Sequence, residues 1–217
     1  MARRIKQRPK GKQTTEPIKD PKIIDKIMRY LLKKREVAKN KGQIARTKIY
    51  DRNWMIVMLG FNTAFRAEDL LQLQVEDVIN GYIHMKEAKT GKPQHFKMNV
   101  KLHQDIKEYV QRNNLTIYDY MFTSQRSDGE IGCISRQQAD RIMKDISKHC
   151  NIHTKFGMHS LRKTFGYQFY ANGGDIETLR KMYNHYGTDV TAMYIMWDKN
   201  DMEKAREDTY IAASHRR

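Results

Sequence analysis

Two short runs in the last third of the 217-residue chain contain the side chains best suited to chemistry. His159 and Arg162 are three positions apart, so they share one face if their run is helical. His185 follows Arg162 by 23 residues, and Tyr194 follows His185 by nine. A guanidinium can hold a phosphate with a fork of donors, a histidine can transfer a proton, and a tyrosine hydroxyl can form a covalent intermediate. These residue types suit attack on a phosphodiester without a metal ion.

A further arginine lies at the end of an apolar run earlier in the chain. Residues 54–61 are apolar nearly all round, which is typical of a buried helix, and Asn62-Thr63 breaks the run. Arg66 therefore begins the next element, where a long side chain can be held rigidly. The alternative is a surface arginine paired with Asp69, three residues further on.

Together these features resemble the tyrosine recombinase (phage integrase) family. The resemblance rests on the His-x-x-Arg run, on the spacing to His185 and Tyr194, and on the run TAFRAEDLL at residues 63–71, and it extends over roughly residues 21–213. It implies a mainly α fold with a small antiparallel β-sheet. It also implies an enzyme that cuts and rejoins DNA through a 3′-phosphotyrosyl intermediate, with no cofactor and no metal.

The resemblance implies a role for each candidate residue. Tyr194 would attack the scissile phosphate, and His159 would take the tyrosine proton. Arg66 and Arg162 would neutralise the charge that develops on the phosphate oxygens in the transition state. His185 would donate a hydrogen bond to a phosphate oxygen.

The resemblance places the family's catalytic lysine, which would protonate the departing 5′ oxygen, on a predicted hairpin. Alternation over residues 82–100 around Thr90-Gly91 predicts two antiparallel strands joined by a turn. Lys89 matches best because it precedes the turn pair, while Lys92 and Lys86 remain alternatives. From the residues alone, an ordinary solvated turn lysine fits equally well.

Tyr194 also has a structural alternative, because it lies on a predicted helix over residues 188–197. Helical spacing places it on one apolar stripe with Val190, Met193 and Trp197. The spacing from the preceding histidine favours a functional role. Tyr183 and Tyr186 are weaker candidates for the nucleophile.

The remaining pattern predicts the helices that must position these residues. Asp20-Pro21 is a plausible start for a first helix. Residues 102–112 are amphipathic, and Ser135 is a good N-cap for a helix over residues 136–150. A charged helix over residues 199–213 closes the chain. The run from residue 117 to residue 123 is expected to lead into a loop.

The expected domain organisation has two parts. Residues 1–20 are basic and poor in apolar side chains, which predicts a disordered tail. Residues 21–217 are expected to form a single catalytic domain that includes the C-terminal helix 199–213. Because 65 residues precede Arg66, we expect no separate N-terminal core-binding domain. In this respect the chain resembles short stand-alone recombinases.

Composition supports a nucleic-acid partner. The formal charge is +16 at pH 7 and the pI is near 9.8, which predicts salt-sensitive binding to a polyanion. Cys133 and Cys150 are the only cysteines, and no leader or membrane-spanning apolar run is visible. These features predict reduced thiols and a cytoplasmic protein. The resemblance implies that it is encoded by a prokaryotic cell or by a phage or other mobile element.

The resemblance also implies how the protein assembles. Double-stranded DNA is the expected partner, and recombination uses four active sites around two duplexes. We therefore expect a monomer in solution and a homotetramer on DNA, with accessory DNA-bending proteins as further partners. The segment 199–217 offers too little apolar surface to be stable as an isolated helix, so it is expected to pack against a neighbouring subunit.

Two other functions share these residues. A type IB topoisomerase-like enzyme would use the same chemistry as a monomer on one duplex. A non-catalytic DNA-binding regulator would retain the fold alone, but mere binding does not require the complete set of reactive side chains.

Overall fold

The described residues form a helical assembly with two small sheets. A computed structural model describes residues 14–125, 131–196 and 199–207. Within these ranges there are nine helices and two antiparallel two-stranded sheets, which confirms the predicted mainly α fold. The helices are α1 (Pro21–Asn40), α2 (Ile44–Asn62), α3 (Ala67–Leu71), α4 (Val100–Asn113), α5 (Arg136–Cys150), α6 (Met158–Ala171), α7 (Ile176–Met182), α8 (Thr188–Ile195) and α9 (Lys199–Glu207). The strands are β1 (Tyr82–Lys86), β2 (Pro93–Lys97), β3 (Thr123–Gln125) and β4 (Ile131–Cys133).

Helix α2 is the centre of the core, as its apolar sequence predicts. Four of its side chains are completely shielded from solvent: Met55, Ile56, Val57 and Leu59. Burying each side chain of this size stabilises the fold by roughly 1.5–3 kcal/mol. A Cβ on Gly60 would collide with the side chain of Leu161, so glycine lets α2 and α6 approach closely. This contact brings the C-terminal end of α2 against the helix that carries Arg162.

Capping residues set the predicted helix starts. The Asp20 side chain accepts a hydrogen bond from the backbone N–H of Lys22 at the start of α1. Ser135 forms a capping box with Gln138 at the start of α5, so each side chain satisfies a backbone donor of the other. Asp175 is the N-cap of α7, and its side chain accepts a hydrogen bond from the backbone N–H of Thr178. The helix starts predicted at Asp20 and Ser135 are confirmed.

The first hairpin is present as predicted, and a second hairpin was missed. β1 pairs with β2 from Tyr82 opposite Lys97 to Lys86 opposite Pro93. β3 pairs with β4, although the sequence predicted a loop over that part of the chain. Strands of three residues show too little alternation to be recognised from sequence. Residues 126–130 lie outside the described residues.

The prediction of a disordered tail over residues 1–20 is wrong for residues 14–20. Residues 14–20 are described, and Ile18 is buried in the core. The backbone N–H of Ile18 donates to Oγ1 of Thr164 at 2.8 Å, and Nζ of Lys163 donates to the carbonyl of Thr15 at 2.6 Å. This segment is ordered by α6 rather than by its own composition. The expectation for residues 1–13 falls outside the described residues.

The C-terminal helix begins where the sequence predicts. Helix α9 covers Lys199–Glu207, and the rest of the predicted helix, residues 208–213, lies outside the described residues. Among the helices described, none combines the length and the apolar character that crossing a bilayer requires.

Candidate active site

Five of the six predicted site residues lie around the junction of α3, α6 and α8. Arg66 is the N-cap residue of α3, and His159 and Arg162 lie in the first turns of α6. His185 lies in the connection between α7 and α8, and Tyr194 is near the end of α8. Residues from four separate parts of the sequence therefore converge on one place.

The two arginines meet at one backbone carbonyl. Arg162 is 2% exposed, and its Nη2 donates to the carbonyl oxygen of Tyr183 at 3.0 Å. Nη2 of Arg66 donates to the same oxygen at 3.4 Å. Nη1 of Arg162 donates to the carbonyl of Ala64, and the guanidinium lies over the Tyr183 ring at 4.3 Å. Both positive charges are thus fixed by backbone geometry.

Two residues beside these carbonyls have left-handed backbone conformations. Ala64, which presents its own carbonyl to Arg162, has a φ of 58°. Asn184, which follows the shared carbonyl of Tyr183, has a φ of 52°. An alanine in this region costs roughly 1–2 kcal/mol, whereas asparagine adopts it more readily. Such strain is typical of functional sites, where the surrounding contacts maintain it.

The hydroxyl of Tyr194 is hydrogen-bonded to a histidine. Its distance to Nε2 of His159 is 2.6 Å, and the two rings meet edge to face. His185 also packs against the Tyr194 ring, with ring centroids 5.3 Å apart, and its Nδ1 lies 3.0 Å from Oγ1 of Thr191. Burial raises the pKa of Tyr194, while the charge of Arg162 opposes that shift. The phenol is therefore protonated at neutral pH and needs a base.

Both histidines are neutral at pH 7, which suits His159 to accept that proton. Desolvation, followed by the positive charge of Arg162, lowers the pKa of His159 to about 4, although the residue as a whole is exposed. Desolvation and the charges of Arg162 and Arg66 lower the pKa of His185 to about 4 as well. Neutral imidazoles at pH 7 can accept hydrogen bonds, and His159 is in contact with the tyrosine hydroxyl.

The lowered pKa values predict how stability changes with pH in the free protein. Each histidine has a folded pKa of about 4, below its ordinary value of 6.5, so the unfolded chain binds protons first as pH falls. The free energy of unfolding should therefore decrease between pH 6.5 and pH 4. Chemical denaturation at several pH values should show a shallower decrease for a variant carrying His159→Gln and His185→Gln. An unchanged slope in that variant would contradict the assigned shifts.

The predicted lysine lies apart from the other five residues. Lys89 is exposed in the β1–β2 turn, and among the described contacts none joins it to those five. Lys92, its rival, lies with Nζ 5.5 Å from the centre of the Tyr186 ring, in the segment that contains His185. The turn as a whole therefore adjoins the site.

The structure separates the three candidate tyrosines. Tyr183 is buried, and its hydroxyl donates to the carbonyl of Arg162 at 2.6 Å. Tyr186 is 97% exposed. Among the described contacts, Tyr194 alone of the three has its hydroxyl within hydrogen-bond distance of His159.

The predicted apolar stripe on α8 is wrong. Val190 and Met193 are exposed, whereas Thr191 and Ile195 form the buried face. Trp197 lies outside the described residues. The core-facing side of α8 is therefore shifted by one residue from the predicted stripe.

Sequence reasoning missed Glu87, which lies beside Arg66. Its Oε2 is 2.7 Å from Nη1 of Arg66, whereas Asp69, the predicted partner, is 4.0 Å away. Asp69 instead accepts a hydrogen bond from the backbone N–H of Ala88 at 2.8 Å. The one available signal was an acidic residue directly before a predicted turn, which is common on protein surfaces.

Comparisons with known proteins give this geometry a family context. The sequence profile of the phage integrase family matches residues 20–201. The probable integrase/recombinase YoeC of Bacillus subtilis (strain 168) is 32% identical over 191 residues, which cover 88% of this chain and 94% of YoeC. The tyrosine recombinase XerA of Pyrococcus furiosus is 27% identical over 197 residues, covering 90% of this chain but 66% of XerA.

Solved structures show the same fold. The crystal structure of XerA recombinase matches with a TM-score of 0.65 at 18% identity, covering 94% of this chain and 68% of that one. The XerH site-specific recombinase, solved as a post-cleavage complex with its palindromic difH substrate, matches with a TM-score of 0.64 at 19% identity. That match covers 89% of this chain and 53% of XerH.

Proposed function

The chain belongs to the phage integrase family, and we propose that it is a tyrosine recombinase that cuts and rejoins double-stranded DNA at specific sites. One observation carries the proposal: the hydroxyl of Tyr194 lies 2.6 Å from Nε2 of His159 beside two arginines that share a carbonyl. A nucleophile, a base and a concentrated positive charge are the parts that metal-free attack on a phosphodiester requires.

In the proposed cleavage step, the oxygen of Tyr194 attacks the scissile phosphorus and its proton passes to His159. The bond from phosphorus to the 5′ oxygen breaks, and that oxygen takes a proton from Lys89. The products are a 3′-phosphotyrosine and a free 5′-hydroxyl. Attack by a 5′-hydroxyl of another strand reverses these transfers and rejoins the DNA. The phosphotyrosine bond retains the energy of the broken bond, so no cofactor need supply it.

The arginines would stabilise the charge that develops during this step. Nε of Arg162 is buried, and within the described part of the chain it has no hydrogen-bond partner. A buried donor without a partner is unfavourable, and a phosphate oxygen would satisfy it. Arg66 and His185 would provide further donors to the same phosphate. Because these donors are already oriented, they need little reorganisation during the reaction.

The proposed working assembly is a tetramer on two duplexes, formed from monomers. Residues 21–217 would act as one catalytic domain, and the segment from residue 199 onward would contact the neighbouring subunit. The charge of +16 supports binding to DNA before any sequence-specific contact is made. Of the two alternatives, the recombinases among the relatives do not favour a topoisomerase-like relaxer, and the complete set of reactive side chains does not favour a regulator.

A covalent-trapping experiment on a pool of sequences tests the proposal, so no single target site has to be chosen. Each duplex of the library would have a randomised sequence and a nick. Cleavage near the nick then releases a short fragment, which prevents rejoining. We expect the protein to remain on a subset of duplexes after denaturation in SDS, and sequencing of these would give the site. Relaxation of supercoiled plasmids that lack this site would instead indicate the topoisomerase. Absence of any adduct across the library would overturn the proposed function.

A further inference from the structure

Glu87 is a buried carboxylate at the end of β1, directly before the turn that carries Lys89. The residue is 2% exposed, and burying an ionised carboxylate is costly unless several donors compensate it. The donors come from three different parts of the site, so this single side chain links elements that are distant in sequence.

The two oxygens of Glu87 divide these partners between them. Oε2 lies 2.7 Å from Nη1 of Arg66 and accepts a hydrogen bond of 2.5 Å from Oγ1 of Thr90. Oε1 accepts from Nδ2 of Asn184 at 2.9 Å and from Nε2 of Gln94 at 3.1 Å. Both oxygens are thus saturated with donors.

Two of these partners are chain neighbours of predicted site residues. Thr90 directly follows Lys89, and Asn184 directly precedes His185. Asn184 has a left-handed backbone, so its amide side chain leaves the chain in a direction that a right-handed residue would not give. Glu87 therefore contacts Arg66 directly and the lysine and histidine segments through adjacent residues.

Glu87 remains ionised in this environment. Burial alone raises its pKa, but hydrogen bonds from Thr90, Asn184, Gln94 and Arg66 lower it to about 2. Asp69 behaves differently, because burial raises its pKa and the charge of Glu87 adds to that shift. Glu87 is therefore the main negative partner of Arg66.

We propose that Glu87 is a positioning residue that holds Arg66, the lysine turn and the His185 segment in the arrangement needed for cleavage. This inference rests on the proposed function. Glu87 acts through its neighbours, since a buried carboxylate would repel a phosphate rather than bind it. Without it, Arg66 keeps the 3.4 Å contact with the carbonyl of Tyr183 but loses the ion pair that fixes its other nitrogen.

The first test is Glu87→Gln, which preserves size but removes the charge. Single-turnover formation of the covalent adduct should slow about tenfold or more, because small displacements of reacting groups have effects of up to about 100-fold. Affinity for the uncleaved duplex should change less than the rate. Glu76→Gln, at an exposed position, removes the same charge and should cleave at the wild-type rate.

A second variant tests the same contact without changing the charge of a buried side chain. Asn184→Gly keeps the left-handed backbone without strain and removes only the amide that Glu87 binds. Like Glu87→Gln, it should slow adduct formation, and its unfolding midpoint should stay near that of the wild type. A wild-type rate in both Asn184→Gly and Glu87→Gln would overturn the proposal.

A double-mutant cycle separates positioning from general destabilisation. If Glu87 acts through Arg66, then Glu87→Gln should slow the Arg66→Ala protein much less than it slows the wild type. Additive losses would indicate an independent structural role and would overturn the proposal. If the wild-type protein itself forms no adduct, the proposed function fails. If it does and both Glu87→Gln and Asn184→Gly match its rate, only the positioning role fails.

Discussion

Replacing Tyr194 by phenylalanine should abolish the covalent protein–DNA adduct while leaving DNA binding near the wild-type level. The substitution removes only the hydroxyl oxygen, which is the proposed nucleophile and the partner of His159 at 2.6 Å. The ring keeps its packing against His185, so the site should retain its shape. Trapping on the nicked substrate, resolved by denaturing electrophoresis, measures the adduct, and a mobility-shift titration measures binding.

The matched control is Tyr186→Phe, which removes a hydroxyl from a side chain that is 97% exposed and close in sequence. This variant should form the adduct at the wild-type rate. Trypsin would leave Tyr183, Tyr186 and Tyr194 in one peptide, from Met182 to Lys199, so fragmentation of the labelled peptide must locate the phosphotyrosine. An adduct that persists in Tyr194→Phe would assign the nucleophile elsewhere.

Local sequence patterns were sufficient to predict the starts of helices that surround the site. The caps at Asp20 and Ser135 are side chains that bond to their own backbone neighbours, so their effect is visible in short windows of sequence. The spacing of His159 and Arg162 likewise places both on one helical face. Convergence with Tyr194 was inferred from the family resemblance, not from these local patterns.

The contacts between distant segments could not be predicted in the same way. The carbonyl of Tyr183 is shared by Arg66 and Arg162, which lie 117 and 21 residues from it in the sequence. Ile18 is ordered by Thr164, 146 residues away, so composition alone assigned it to a disordered tail. Glu87 is another case, because its partner Asn184 lies 97 residues further along the chain.

The missed residue changes the electrostatic description of the site. Sequence reasoning identified positive charges for a phosphate, whereas the structure also shows a buried carboxylate 2.7 Å from Arg66. Arg162 has no such ion pair among the described residues and is held by two carbonyls and an aromatic ring. The phosphate would therefore gain most from the charge of Arg162, since that charge is the less neutralised of the two.

Arg162→Ala should consequently slow cleavage by on the order of 100-fold or more, the effect seen when one donor to a developing charge is lost. Arg162→Lys should restore only part of this rate. A lysine retains the charge but cannot bond to the carbonyls of Ala64 and Tyr183 in the geometry of a planar fork. Single-turnover adduct formation at saturating DNA measures the rate, and the dependence on DNA concentration separates binding from chemistry.

Because Arg162 is buried, the experiment needs a control for folding. Arg52→Lys is a matched change, since Arg52 is half-buried and donates to the carbonyl of Thr123 at 2.8 Å, outside the contacts of the candidate site. It should cleave at the wild-type rate, and thermal unfolding of both lysine variants shows whether either loses structure. If Arg162→Lys is folded, its cleavage rate should lie between those of the wild type and Arg162→Ala. Full activity in Arg162→Lys would contradict the requirement for the planar guanidinium, because a point charge would then be sufficient.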